Sequence, residues 1–215
     1  MNMDRSTGDR RNVVVIETGT ANLASIVRAL DRCGMRAIPS RDVSAVESAD
    51  ALVIPGVGSF SAGMEALRSS GMADPIRRRI LEGTPTLGIC LGLQVLARGS
   101  EESPGVEGLG VVDALVRRLP PGRIRPHLGW NRVASTDRAS VVAMDGAAYF
   151  ANGYALLDAP RGWEVAWTED GGRFIAAIER DNVVACQFHP EISGEFGERL
   201  IRRWGATITQ EATTC

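Results

Sequence analysis

The sequence contains no lysine, because all 24 of its basic residues are arginines. Schiff-base chemistry and lysine-dependent ion pairs are therefore excluded. The 26 acidic residues bring the formal net charge to −2, so we expect neither nucleic acid nor an anionic membrane surface as a partner. No apolar run approaches the ~20 residues that a membrane span needs. The first dozen residues are polar, so we expect no secretory signal and a cytoplasmic location.

Cysteines and histidines are few and widely spaced. The cysteines are Cys33, Cys90, Cys186 and Cys215, and the histidines are His127 and His189. The absence of any C-x-x-C pair argues against a zinc site, so we expect neither a metal nor a cofactor. A reduced intracellular compartment suits this cysteine usage best. If the chemistry uses a cysteine–histidine pair, few pairings are available.

The first half of the sequence alternates between strand and helix patterns. Consecutive apolar residues at 13–16, 51–54 and 85–89 are typical of strands that are buried on both faces, and 37–38 is a shorter candidate strand. Helical patterns follow at 26–30, at 61–67 and 73–81, and from 93 onward. This order predicts an α/β fold with a doubly wound, mostly parallel sheet.

The second half has short strand-like runs between Gly, Pro and Asp turns. They lie at 111–116, 131–133, 149–150, 163–167 and 174–178, before a final buried strand at 183–188 and a closing helix at 195–204. We therefore expect an antiparallel β extension of the parallel sheet. We predict a single domain over residues 12–204, with flexible tails at 1–11 and 205–215.

Cys90 lies in Gly88-Ile89-Cys90-Leu91-Gly92, which has the form of the nucleophile elbow G-x-S-x-G with Cys in place of Ser. Small glycines let the chain turn sharply beneath an exposed nucleophile. The N-terminus of the following helix favours the thiolate, and the amide of Leu91 is a candidate oxyanion donor. The alternative is an inert cysteine that ends a core strand, but the glycines and the strand–turn–helix context favour a nucleophile.

His189 and Glu191 follow the last buried strand, in Phe188-His189-Pro190-Glu191. Loops at the carboxyl ends of parallel strands hold the sites of α/β folds, so His189 is a candidate base for Cys90. Glu191 lies two residues on and can orient His189. A solvated loop histidine beside an unrelated carboxylate is an equal alternative on spacing alone. His127 is the competing base, and no carboxylate lies close to it in the sequence.

Two further segments have an ordinary structural interpretation beside a functional one. The turn at 55–58, P-G-V-G, can present an inward amide as a second oxyanion donor, although a plain strand-to-helix turn is the simpler interpretation. Gln94 lies one helical turn after Cys90 and can face the same pocket, although such a residue is more often on the surface. Trp130 is either exposed at a partner surface or part of the core.

The combination of these motifs resembles the class I (triad) glutamine amidotransferases. The resemblance rests on P-G-V-G at 55–58, G-I-C-L-G-L-Q at 88–94 and Q-F-H-P-E at 187–191. Within that family, E-E-S-P-G-V-E-G-L-G at 101–110, P-H-L-G-W-N at 126–131 and the E-I-S-G after the histidine are similar to the glutaminase subunits of imidazole glycerol phosphate synthase. The similarity extends over about residues 13–204.

The resemblance implies a catalytic role for each matching residue. Cys90 would attack the side-chain amide of glutamine, release ammonia and leave a thioester that water hydrolyses. His189 would shuttle the proton, and Glu191 would orient His189. The backbone amides of Val57 and Leu91 would form the oxyanion hole, with Val57 taking part only after a peptide rearrangement triggered by a partner.

The resemblance also implies substrate and partner contacts. Gly56, Gln94 and Glu102 match positions that hold glutamine. The family's partner is a (β/α)₈ cyclase subunit, which uses the ammonia to make imidazole glycerol phosphate and AICAR in histidine biosynthesis. Asn22 and Trp130 match the side that faces this barrel.

Three positions depart from the family pattern. The loop after the first strand has Ala21-Asn22 where Gly-Asn is usual, and Asn152-Gly153 replaces a histidine and a hydroxyl residue that border the glutamine pocket. Ile192 stands where a partner-facing lysine is common. Alternative hypotheses are therefore a paralogous subunit that supplies ammonia to a different synthase, a non-catalytic scaffold subunit and, more remotely, a cysteine peptidase of similar fold.

Overall fold

A computed structural model describes residues 11–19, 22–120, 126–135 and 140–208. The strands are β1 (Asn12–Ile16), β2 (Arg36–Ser40), β3 (Ala51–Ile54), β4 (Thr86–Ile89), β5 (Ala97–Ser100), β6 (Val112–Arg118), β7 (His127–Ser135), β8 (Gly146–Asn152), β9 (Tyr154–Ala155), β10 (Glu164–Glu169), β11 (Arg173–Arg180) and β12 (Val183–Cys186). The helices are α1 (Leu23–Arg32), α2 (Val43–Glu47), α3 (Phe60–Ser69), α4 (Ala73–Leu81), α5 (Leu91–Val95) and α6 (Gly194–Gly205), and a 3₁₀ turn spans Pro190–Ile192.

The main sheet joins a parallel half to an antiparallel half. Its strand order is β2-β1-β3-β4-β12-β11-β10-β7-β8, and the pairs from β2 to β12 are parallel whereas those from β12 to β8 are antiparallel. A smaller sheet has the order β5-β6-β9. The predicted α/β fold, with a mostly parallel sheet and an antiparallel extension, is confirmed.

Helices cover both faces of the parallel half, as the continuous apolar strands predict. Along β1, Val13 and Val15 pack into one core with α1 and α6, whereas Val14 and Ile16 pack into a second core with α3 and α4. Successive side chains of a strand point to opposite faces, so both faces need apolar residues when both are covered. The cores lie on the two sides of one sheet.

The chain after the nucleophile elbow contains a strand, β5, where we expected the helix that begins near residue 93 to continue. Helix α5 has five residues, and β5 follows it directly. The carbonyl oxygen of Val95 accepts a hydrogen bond from the amide of Leu109, and that of Ala97 accepts one from the amide of Gly110. These carbonyls are therefore bonded to residues outside the helix instead of to its next turn. Distant backbone partners therefore end α5 early, and helical periodicity by itself gives no sign of them.

The packed chain extends beyond the predicted domain boundary at residue 204. Helix α6 ends at Gly205, and Ile208 is buried in the core with Trp204. Apolar packing therefore holds the start of the segment that we expected to be a loose tail. The remainder of both predicted tails, 1–10 and 209–215, lies outside the described residues.

The parallel half of the sheet brings three motif loops to one edge. The turn at 55–58 follows β3, Cys90 follows β4, and His189 lies two residues beyond Gln187, which directly follows β12. Because β3, β4 and β12 are adjacent parallel strands, their carboxyl ends lie side by side. In the part of the chain that the structure describes, no helix is long and apolar enough to cross a membrane.

Candidate active site

Cys90 lies in a sharp turn between β4 and α5, with φ 55° and ψ −108°. A positive φ is uncommon for a residue with a side chain, and such strain is concentrated at functional sites. The flanking glycines are required by close packing, because a Cβ on Gly92 would overlap the carbonyl oxygen of Ile54 and one on Gly88 would lie 3.0 Å from the Cβ of Ala185. The predicted nucleophile elbow is therefore present.

His189 and Glu191 form a buried pair beside Cys90. The Nδ1 atom of His189 lies 2.9 Å from Oε1 of Glu191, and Cys90 is close enough to raise the pKa of the imidazole. The backbone holds the histidine in place, since its amide donates to the carbonyl of Tyr149 and its carbonyl accepts from the hydroxyl of Ser193 at 2.6 Å. The structure thus brings together the predicted nucleophile, its candidate base and the orienting carboxylate.

The surroundings of His189 favour its protonated form. Burial by itself lowers the pKa of His189, but the hydrogen bonds to Cys90 and Glu191, together with the charges of both, outweigh it and raise the pKa to about 10. An imidazolium next to a thiolate is the arrangement that a cysteine nucleophile needs. The fully buried Cys186 has the opposite character, because burial raises the pKa of its thiol well above the usual value.

Of the two expected oxyanion donors, the amide of Leu91 already has a backbone acceptor, whereas Val57 lies at the cavity. The amide of Leu91 donates to the carbonyl oxygen of Gly56 at 3.3 Å, so this donor is occupied. Val57 is 38% exposed and lies at the cavity beside the pair. The turn at 55–58 therefore supplies an acceptor where an oxyanion would need a donor.

A cavity of about 180 Å³ opens beside the histidine–carboxylate pair. It is lined by Asn22, Ile26, Gly56, Val57, Ile89, Tyr149, Ala151, His189, Glu191 and Ile192. Asn22, expected on the partner side, also caps α1, where its side chain accepts from the amide of Ser25. Trp130 is 58% exposed, and its ring packs edge-on against Tyr149 on the cavity wall.

Two expected glutamine ligands, Gln94 and Glu102, lie outside the lining of this cavity. Gln94 is buried, and its side-chain nitrogen donates to the carbonyl of Tyr154 and to Oε1 of Gln187, both at 3.0 Å. Glu102 accepts a 2.7 Å hydrogen bond from the amide of Phe60, at the start of α3. A carboxylate is stabilised at a helix N-terminus, which explains this placement.

The competing base, His127, has a carboxylate partner that is distant in the sequence. Its Nδ1 atom lies 3.1 Å from Oδ2 of Asp170, and its ring packs against Phe150 and Phe174. His127 is not among the residues that line the cavity. Among the described residues, no cluster of three or more His, Cys, Asp and Glu side chains could hold a metal ion.

Two residues at the site, Tyr149 and Gln187, have no role that the sequence motifs predict. Tyr149 lines the cavity, and the side-chain nitrogen of Gln187 lies 3.6 Å from Sγ of Cys90. Gln187 had a detectable signal, because a polar residue that continues an apolar strand must find hydrogen-bond partners when it is buried. Tyr149 reaches the cavity wall because β8 pairs with β7, and local sequence does not reveal this pairing.

Solved structures share this fold at low sequence identity. A crystal structure of a glutamine amidotransferase superposes with a TM-score of 0.74 at 24% identity, covering 91% of this chain and 97% of that one. The structure of PurLQS from Thermotoga maritima gives a TM-score of 0.72 at 16% identity, covering 94% of this chain and 100% of that one. These likenesses concern the fold.

Sequence relatives are more similar. The imidazole glycerol phosphate synthase subunit HisH of Methanothermobacter thermautotrophicus is 42% identical over 194 residues, covering 89% of this chain and 96% of the relative. The subunit of the same name from Escherichia coli strain K12 is also 42% identical, over 90% of this chain and 98% of the relative. The family described as glutamine amidotransferase class-I matches residues 14–206. The chain therefore belongs to the class-I glutamine amidotransferase family.

Proposed function

We propose that this chain is the glutaminase subunit of an imidazole glycerol phosphate synthase, which hydrolyses glutamine to glutamate and ammonia for histidine biosynthesis. The observation that carries the proposal is the pair of His189 and Glu191, whose Nδ1 and Oε1 atoms lie 2.9 Å apart, beside the strained elbow at Cys90. The extensive similarity to HisH subunits supports this choice of family branch.

In the proposed reaction, the Cys90 thiolate attacks the side-chain carbonyl carbon of glutamine. His189 gives its proton to the departing nitrogen, so ammonia leaves and a thioester remains. A water molecule then attacks the thioester while His189 accepts its proton, and the thiolate leaves as glutamate is released. Glu191 holds the imidazole through Nδ1 and stabilises its charged form.

The oxyanion hole requires a change in the turn at 55–58. Rotation of the Gly56–Val57 peptide would withdraw the Gly56 carbonyl from Leu91 and direct the amide of Val57 inward. Both amides would then face the oxyanion. The present hydrogen bond between Leu91 and Gly56 supports a hole that is assembled only when a partner binds. Reaction would thereby be coupled to the presence of the enzyme that consumes ammonia.

Substrate contacts are assigned to Gly56, Gln94 and Glu102. Gly56 lies on the cavity wall beside the nucleophile, and a Cβ there would come within 2.9 Å of the Leu91 Cβ. Gln94 is joined to Cys90 through Gln187, which supports a position behind the bound amide. Glu102 accepts a hydrogen bond from the first amide of α3, the helix that follows the turn at 55–58. Its carboxylate is therefore placed to sense both bound glutamine and the rotation of that turn.

The proposed partner is a (β/α)₈ cyclase subunit that receives ammonia through its interior and makes imidazole glycerol phosphate and AICAR. Exposed apolar side chains of Val57, Trp130 and Ile192 surround the cavity region, which supports docking there, and Asn22 lies on the cavity wall. A dry route keeps ammonia unprotonated and nucleophilic. We place the complex in the cytoplasm.

Glutamate release measured with the chain alone and with a cyclase barrel carrying its nucleotide ligand tests the proposal. We expect strong stimulation by the loaded barrel, and no hydrolysis by Cys90→Ala in either condition. An equal rate of hydrolysis with and without the barrel would contradict the proposal that the cyclase is the partner. It would favour a paralogue that supplies ammonia to another synthase. No hydrolysis with any barrel would favour a scaffold subunit.

A further inference from the structure

A chain of buried side-chain amides lies behind the proposed nucleophile. Gln187 is fully buried, and its Nε2 atom lies 3.6 Å from Sγ of Cys90 while its Oε1 atom lies 3.0 Å from Nε2 of Gln94. Gln94 is 6% exposed. Gln187 thus connects two residues of the elbow region, Cys90 and Gln94, from a distant part of the sequence by hydrogen bonds inside the core.

A backbone carbonyl determines how both amides are oriented. The oxygen of Tyr154 can only accept, so the Gln94 atom that lies 3.0 Å from it must be the nitrogen. That same nitrogen lies 3.0 Å from the side chain of Gln187, so the facing atom of Gln187 must be its oxygen. The remaining atom of the Gln187 amide, its nitrogen, then faces Cys90. The hydrogen-bond network therefore places an N–H donor of Gln187 next to the sulfur of Cys90.

The Tyr154 carbonyl is itself held in place. It also accepts a 3.1 Å hydrogen bond from Nδ2 of Asn152, and β9, which contains Tyr154, pairs with Arg118 of β6. Asn152 is one of the departures from the family pattern. The anchor of the amide chain is therefore fixed from two sides, so little freedom remains for Gln94 or Gln187 to rotate.

We propose that Gln187 is a further catalytic residue, whose side-chain N–H stabilises the Cys90 thiolate and whose orientation Gln94 sets. The inference rests on the proposed function, because it requires Cys90 to be the nucleophile. A hydrogen bond to a charged acceptor is stronger than one to a neutral acceptor, so the N–H favours the thiolate over the thiol. Unlike His189, this donor is uncharged and keeps its proton throughout the reaction.

This donor acts at two steps. Before attack, it raises the fraction of Cys90 that is ionised. During thioester hydrolysis, the carbon–sulfur bond breaks and the electron pair returns to sulfur, at a stage when His189 has accepted a proton from water. The N–H of Gln187 then stabilises the departing thiolate without any proton transfer of its own.

The test compares Gln187→Met, which keeps the length but removes the N–H, with Gln187→Glu, which puts an acceptor at the sulfur. The rate of Cys90 alkylation by iodoacetamide is followed against pH on the full chain, with Cys90 distinguished from the other thiols by peptide mass. We expect the midpoint of the profile to rise by about one pH unit in Gln187→Met and further in Gln187→Glu. Glutaminase kcat with the cyclase should fall about ten-fold in Gln187→Met, with little change in KM.

Gln94→Met tests whether Gln94 sets the orientation of the Gln187 amide, and it leaves Cys90 and Gln187 themselves unchanged. It releases the Gln187 amide, so the alkylation midpoint should again rise, by less than in Gln187→Met. The double variant should shift no further than Gln187→Met alone, since both changes remove one donor. Thr86→Val, a buried hydroxyl change elsewhere on β4, is the control and should leave the midpoint unchanged.

Unchanged alkylation profiles in Gln187→Met and Gln94→Met, with an active wild type, would overturn this inference alone. If Gln187→Met does not fold, the profile of Gln94→Met decides, because Gln187 is then still present. A wild type without glutaminase activity and without preferential alkylation of Cys90 would instead overturn the proposed function.

Discussion

The amide nitrogen of Leu91 donates a hydrogen bond to the carbonyl oxygen of Gly56, with 3.3 Å between the two atoms. Cys90, His189 and Glu191 lie together, yet the adjacent amide that we propose as an oxyanion donor is satisfied by a backbone acceptor. A buried amide without a partner is costly, so the Gly56 carbonyl stabilises this arrangement until a stronger acceptor replaces it. In the proposed mechanism, the bond that satisfies Leu91 also keeps the oxyanion hole unassembled until a partner binds.

Val57→Pro tests the rearrangement, because proline has no amide hydrogen to offer the oxyanion. We expect cyclase-stimulated kcat to fall at least about 100-fold, the typical effect of losing one oxyanion donor. Alkylation of Cys90 should be preserved, since the nucleophile and base are untouched. Val57→Ala keeps the amide and is the matched control. Equal stimulation of the two variants would show that the Val57 amide takes no part.

The positive φ of Cys90 predicts an unusual ranking of two inactive variants. Cys90→Ala keeps a Cβ at φ 55°, whereas Cys90→Gly removes it and relieves the strain. We expect the glycine variant to have a free energy of unfolding about 1 kcal/mol higher than that of the alanine variant. Urea unfolding of both proteins measures the difference. An alanine variant as stable as the glycine variant would mean that the elbow stores no such strain.

The raised pKa of His189 makes its contribution to stability depend on pH. The value is about 10 in the folded chain against an ordinary value of 6.5, so the folded state keeps a proton that the unfolded state releases. The stabilisation is complete below pH 6.5 and is lost as the pH rises through 10. We expect the difference in unfolding free energy between wild type and His189→Gln to shrink steadily from about pH 6 to about pH 10.

Urea unfolding at several pH values measures this difference, and Asp42→Asn provides the control. Hydrogen bonds from Ser44 lower the pKa of Asp42, so its contribution is lost only as acid protonates the carboxylate. The difference between wild type and Asp42→Asn should therefore stay constant over the alkaline range. A constant difference for His189→Gln as well would contradict the charged form of that histidine.

Trp130 is expected to anchor the cyclase partner. Its side chain is 58% exposed, and buried tryptophans commonly dominate the binding energy of an interface. Trp130→Ala should weaken the complex by at least about ten-fold in Kd, with unchanged alkylation of Cys90. Leu81 on α4 is also 58% exposed, so Leu81→Ala is a matched control that should leave Kd unchanged. Titration calorimetry with the barrel measures both, and equal affinities would remove Trp130 from the interface.

Much of the fold could be predicted because its parallel half obeys local rules. The apolar runs that became β1, β3 and β4 must be covered on both faces, and the intervening helical patterns supply that cover. The helix predicted after the elbow is present, but it stops at Val95, and the strand β5 that follows it was not predicted. Backbone partners from residues 109 and 110 end that helix, and periodicity carries no information about them.

The sequence by itself determined the elbow at Cys90 and the choice of His189 and Glu191. A nucleophile between small residues is a local pattern whose chemistry follows from spacing. The choice of His189 with Glu191 rested in addition on the resemblance of Q-F-H-P-E at 187–191 to the class I amidotransferases. Adjacent strand ends then bring them together.

Only the tertiary structure decided which groups surround that triad and which partner the competing histidine has elsewhere. The bond from Leu91 to Gly56, the carboxylate of Asp170 beside His127, and the amide chain that turns the Gln187 nitrogen toward Cys90 each join residues from different elements. Hydrogen bonds depend on atoms meeting within about 3 Å at the right angle, and this geometry is set by strand order and register. Residues that are far apart in the sequence therefore acquire their chemistry from the packing of the sheet.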